Sequence, residues 1–170
     1  MIDKIPVPEA SLLHPYTLLT HGYTDCYVTS VAGQVQLPIY IAVFYCSAVF
    51  KLERIILRCL GLPSSDTEAA QLGSGERKTF AAWFVEARQD HQILLSDIRG
   101  NTRSWLMVEH RANETALFFG SAVVPRSAKD GTALPPAWIF RMLLGFHQLY
   151  SRVLLGIAAR RLRRTNRSYS

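Results

Sequence analysis

The chain has 170 residues, 49% of them apolar and 19% charged, with a formal net charge of +6. That length predicts one domain that buries roughly 70% of its unfolded surface and needs no disulfide or metal staple. The apolar content excludes a disordered chain, and ten Gly with eight Pro exclude a collagen-like or low-complexity one.

Residues 1–20 are Pro-containing and without periodicity, so an irregular N-terminal segment is expected there. Tyr23 to Ser30 alternates well enough for a strand. Leu37, Tyr40, Ile41, Phe44, Ala48, Leu52, Ile55, Ile56 and Cys59 then fall on one stripe at helical spacing, closed by Gly61-Leu62-Pro63. Val43, Cys46, Phe50 and Leu57 make the other face of that long helix apolar too. A helix apolar all round needs cover on two sides, which points to a second layer or a homodimer partner.

Ser64 to Lys78 is polar and patternless and reads as a loop. Four strand-like runs follow, Thr79–Arg88, Gln92–Arg99, Arg103–Arg111 and Thr115–Pro125, joined by short connections into an antiparallel meander. Arg99-Gly100-Asn101-Thr102 has the composition of a two-residue Gly-Asn hairpin. After a loop over residues 126–136, Trp138, Ile139, Met142, Leu143, Phe146, Leu149, Tyr150, Val153, Leu154 and Ile157 define a long closing helix.

The last eleven residues contain Arg160, Arg161, Arg163, Arg164 and Arg167 and no acid, so residues 160–170 form a basic tail and the remainder is near +1. Such a tail can meet phosphate on an anionic membrane or nucleic acid, or simply solvate a helix end. Cys26, Cys46 and Cys59 have no metal-ligand spacing, and the N-terminus lacks the pattern of an export signal. A cytoplasmic location is expected. The longest charge-free apolar stretch, Val35 to Phe50, is shorter than the roughly 20 residues of a spanning helix.

These elements predict an α+β domain over residues 21–159. A curved antiparallel sheet of about five strands, in the order strand, helix, four strands, helix, grips a long C-terminal helix, with a second long helix after the first strand. The order resembles the helix-grip architecture of START-like and birch-pollen-allergen-like proteins, which implies a cavity between sheet and C-terminal helix. His21-Gly22-Tyr23-Thr24-Asp25-Cys26-Tyr27, the helix ending Leu60-Gly61-Leu62, and Gly145-Phe146-His147-Gln148-Leu149 with Arg152 are similar to elements of a bacterial family, domain of unknown function 2867. Where that family has Asp and His-Leu-Asp-Phe elements in its hairpin, this chain reads SDIRGNTRSW. The resemblance implies fold rather than activity.

In a two-residue Gly-Asn hairpin, residue i pairs with residue 201 minus i. Ile93, Leu95, Asp97, Ser104, Leu106, Val108 and His110 then share the helix-facing side. Leu94, Ser96, Arg103, Trp105, Met107 and Glu109 share the other. Asp97 and His110 become polar groups at the margin of an apolar interior, able to anchor a ligand. Asp97, opposite Ser104 near the hairpin, is better suited to bond locally in the turn. His147, beside Leu143, Tyr150 and Leu154 on the rim of the closing helix's stripe, is placed to hold a polar headgroup or act as a base. No metal motif, nucleophile elbow, phosphate loop or dinucleotide fingerprint occurs, so no cofactor or metal is expected. The leading expectation is a non-catalytic protein that binds a small apolar or amphipathic molecule through His147, Tyr150, Asp97 and His110. A structural or dimerising module with a packed core is the alternative, and an enzyme using His147 the third.

Overall fold

The computed structural model describes residues 1–47, 50, 64–124 and 151–164. Seven strands are present among them: β1 (Asp3–Lys4), β2 (Tyr23–Ala32), β3 (Thr79–Phe80), β4 (Trp83–Gln89), β5 (Gln92–Asp97), β6 (Thr102–His110) and β7 (Glu114–Val123). They form one antiparallel sheet in the order β1-β2-β7-β6-β5-β4-β3. The five-strand expectation is corrected to seven. The two additions, β1 and β3, are each two residues long, too short to carry a period-2 pattern. Ala81, at φ 50°, breaks the run from Thr79 into β3 and β4.

Helix α1 covers Leu37–Tyr45, with Pro38 in its first turn, where a missing donor costs nothing. The long helix expected after the first strand is interrupted after Tyr45, and most of its expected second half, residues 48–49 and 51–63, lies outside the described residues. Cys46 caps α1 at φ −90°, ψ 6°, and the Ser47 hydroxyl accepts the Phe50 amide at 3.3 Å. A serine that bonds the amide three residues on stands where a new helical turn starts, and it competes with continuation of the old one. The expected loop after Ser64 contains helix α2, Asp66–Ser74. Ser65 and Glu68 form a reciprocal capping box at its start, and Gly75, at φ 86°, ends it in the left-handed conformation. Arg88 donates to the carbonyls of Leu72 and Gly73, satisfying acceptors that the last turn leaves open.

The last described helix, α3, spans residues 151–164. It is short, and it replaces the long gripped C-terminal helix of the sequence expectation. Residues 125–150 lie outside the described residues. At its other end α3 runs beyond Ile157, with Leu162 buried in the core. No helix among the described residues is long and apolar enough to cross a membrane.

The alternation of each strand divides the sheet into two faces. Tyr27, Val31, Ile93, Leu95, Leu106, Val108, Leu117 and Phe119 pack against α1, α2 and α3. Phe50, on the helix face for which a second layer or a homodimer partner was expected as cover, is buried inside this layer. It makes an edge contact with Tyr45 (centroids 4.8 Å) and stacks on Phe80 (6.0 Å).

The opposite face carries Cys26, Leu94, Trp105, Met107, Ala116, Phe118 and Ala122 and is covered by the N-terminal segment through Ile5, Val7, Leu12, Leu13 and Tyr16. Gln92 fastens this cover. Its Oε1 accepts from the Leu12 amide and the Trp105 indole, both at 2.8 Å, and its Nε2 donates to Ala10 O at 3.3 Å. Further along, in the 3-10 turn His14–Leu18, Tyr16 bonds Glu86, while Arg103 pairs with Glu86 at 2.6 Å and donates to the Tyr16 hydroxyl at 2.9 Å. At Gly120 an added Cβ would lie 2.6 Å from Leu13 Cδ2, so only glycine lets Leu13 seat on the sheet.

Candidate functional site

Strand register places three polar residues side by side on the helix-facing surface. Asp25 of β2 pairs with Ser121 of β7, and Ser121 pairs with Ser104 of β6. All three are buried, Asp25 at 2% exposure. The neighbouring row, Tyr27–Phe119–Leu106–Ile93, is apolar apart from one phenol. Ser121 Oγ donates to Asp25 Oδ1, and the Tyr23 hydroxyl approaches Asp25 Oδ2 at 3.4 Å. Tyr45, the last residue of α1, brings its hydroxyl to 3.2 Å from Ser104 Oγ.

An ionised carboxylate offers about four acceptor positions and is costly to bury without compensation. Asp25 has two hydroxyl donors and, among the described residues, no cation within ion-pair distance. The Tyr27 hydroxyl is also buried and has no hydrogen-bond partner of good geometry among them. Burial first, then the charge of Asp25, pushes its pKa up to about 12; the Arg152 guanidinium, 5.6 Å from the Tyr27 ring centre, acts in the opposite direction. The result is a buried carboxylate ringed by neutral hydroxyls. Such a set can receive hydrogen bonds from a ligand's hydroxyl or ammonium group.

Of the residues singled out from sequence, His147 and Tyr150 lie outside the described residues. Asp97 and His110 stand at opposite ends of their strands and are not brought together. Asp97 organises the hairpin: its Oδ1 accepts from the Asn101 amide at 2.7 Å and the Thr102 amide at 3.2 Å. The loop is Ile98–Asn101, four residues rather than two, and the pairing is i with 199 minus i, as in Ile93 with Leu106. The side chains keep the expected faces because the register moves by two. His110 Nε2 lies 3.0 Å from Val35 O, just before α1. It borders a cleft of about 410 Å³ between Pro8 and Ser11 on one side and His91, Met107 and Glu109 on the other.

Asp25, Ser104, Ser121 and Tyr45 were not anticipated. A signal existed in β2, where Asp25 lies between Tyr23 and Tyr27 at period-2 spacing, a charge on a core-facing parity. The serines join it only through long-range register. Cys26, one residue away on the opposite face, is a separate matter: burial, with a smaller push from Asp25, raises its thiol to about 12, which keeps it protonated. In comparison with known proteins, the chain matches no family model, no curated protein and no solved structure.

Proposed function

We propose that this protein binds a small amphipathic molecule on the helix-facing side of the sheet, with a hydrogen-bond donor at Asp25 and its apolar body beside Tyr27 and Phe119. The single observation that carries this reading is the buried row Asp25–Ser121–Ser104 in an otherwise apolar layer. A core selected for stability alone gains more from apolar side chains at those positions, because a buried, incompletely paired charge costs several kcal/mol on the order-of-magnitude scale. The donor preference follows from the chemistry: the carboxylate only accepts, and the buried Tyr27 hydroxyl adds a neutral polar group beside it. Phe50, one of four residues behind the dimerising alternative, is covered by Tyr45 and Phe80 of the same chain.

A thermal-shift series with dodecylamine, dodecanol and dodecanoate tests the proposal, with native mass spectrometry of the purified protein reporting any retained molecule. The amine and the alcohol are expected to stabilise the wild type and the anionic carboxylate to fail. Asp25→Asn should weaken amine binding by roughly 10–100-fold, the scale of one charge-assisted hydrogen bond. Equal stabilisation by dodecanoate, or indifference to all three without a retained molecule, overturns the reading.

A further inference from the structure

Two opposite charges flank the Tyr27 ring without pairing with each other. Asp25 stands two residues before Tyr27 on the same face of β2, about 6.6 Å along the strand at 3.3 Å per residue. Arg152, in the first turn of α3, lies over the ring, with its guanidinium carbon 5.6 Å from the ring centre. Asp25 is 2% exposed and Tyr27 fully buried, whereas Arg152 is exposed, so the three groups run from core to surface. No ion pair joins Asp25 to Arg152, and among the described residues Arg152 has no hydrogen-bond or ion-pair partner. The ring attracts the cation but leaves the N–H donors of the guanidinium available to an anion. Burial raises the Tyr27 phenol first, and Asp25 and Arg152 then act on it with opposite signs, so both charges are felt at one hydroxyl.

We infer that Arg152 is a specificity-determining residue of the Asp25 site, and that the ligand it selects is an α-amino acid with a long apolar side chain. The inference rests on the amphiphile site proposed above at Asp25. A ligand that meets both charges is a zwitterion, with its ammonium on the buried carboxylate and its anion on the outer guanidinium. The third direction is apolar: Phe119, Leu106 and Ile93 continue the row from Tyr27 within the same layer. An α-amino acid sends an ammonium, a carboxylate and a side chain in three directions from one carbon, which matches this arrangement. Its carboxylate suits arginine in particular, because the planar fork takes both oxygens at once. A simple amine leaves Arg152 unmatched, and a fatty acid brings a second carboxylate toward Asp25.

The test compares 2-aminododecanoate with dodecylamine by isothermal titration calorimetry of the full chain at neutral pH. The amino acid should bind the wild type roughly 10-fold more tightly than the amine, the scale of one charge-assisted hydrogen bond. Arg152→Gln should bring that ratio to about one, and the charge-conserving Arg152→Lys should keep a preference for the amino acid. Arg152 is exposed, so both variants should melt like the wild type in the absence of ligand. A wild type that does not prefer the amino acid, or a preference that survives Arg152→Gln, overturns the inference; if Asp25→Asn still weakens dodecylamine, the Asp25 reading stands without it. If neither compound binds, or both ignore Asp25→Asn, the Asp25 reading is overturned and this inference with it.

Discussion

The seating of the N-terminal segment on the sheet can be measured through one contact, Leu13 against Gly120. Leu13 is fully buried, and removing its side chain beyond Cβ should cost about 2–5 kcal/mol in lost transfer free energy and residual cavity. Gly120→Ala works in the opposite sense. Its methyl would stand 2.6 Å from Leu13 Cδ2, 2.9 Å from Trp105 Cε3 and 3.0 Å from Asp25 O. Overpacking of that kind costs about 1–3 kcal/mol. The two changes should not add: once Leu13→Ala removes the Cδ2 atom, the added methyl occupies part of the space it left. Relief is incomplete, because the Trp105 ring and the β2 carbonyl stay where they are, so a favourable coupling of about 1 kcal/mol is expected. Urea unfolding of the wild type, both single variants and the double variant, followed by tryptophan fluorescence and far-ultraviolet circular dichroism, gives the four free energies. A neutral Gly120→Ala, or additivity within about 0.5 kcal/mol, would show that Leu13 is not seated over Gly120 and would refute the two-sided cover.

Two further expectations concern titration and the hairpin. Cys26 and Tyr27 both carry folded-state pKa values raised to about 12. Their stabilising contribution is therefore complete below the unfolded values, near pH 9 for the thiol and 10 for the phenol, and is lost as pH rises through about 12. The urea midpoint should fall across that alkaline window and Tyr27→Phe should reduce the slope; a flat midpoint up to pH 12 contradicts the burial assignment. Asp97→Ala removes the acceptor for two hairpin amides and should cost about 1 kcal/mol in urea unfolding without changing amine binding, whereas a selective loss of amine binding would give Asp97 the anchoring role that its geometry denies.

What could be read in advance follows from the range of each signal. The facing of β5 and β6 depends only on parity, so Leu95, Leu106 and Val108 fell on the helix side even though the turn held four residues instead of two. The turn length depended on a side chain, Asp97, whose two amide bonds stabilise the wider loop in place of the Gly-Asn pair. Helix α2 was written in Ser65 and Glu68, three residues apart, but the polar composition around them masks the capping box when segments are judged by apolar pattern. The break after Tyr45 rests on a single serine inside an unbroken apolar stripe. Asp25 and its serine neighbours were out of reach because the row is assembled across three strands, with Asp25 and Ser121 separated by 96 positions in the chain. No local pattern encodes such a register.

The ends of the sheet bear on how this protein survives at high concentration. A flat, open edge strand templates addition of another chain and is the starting point of aggregation. Both edges here are two-residue strands, β1 and β3. Behind β1, the long strand β2 has its Cys26 carbonyl taken by the Ile5 amide at 3.0 Å and its Ser30 carbonyl by Arg163. Behind β3, β4 is kinked by a bulge between Val85 and Ala87, and the Val85 amide is occupied by Lys78 O at 2.8 Å. A neighbouring molecule thus meets blunted edges on both sides, which offer few open backbone groups for an added strand.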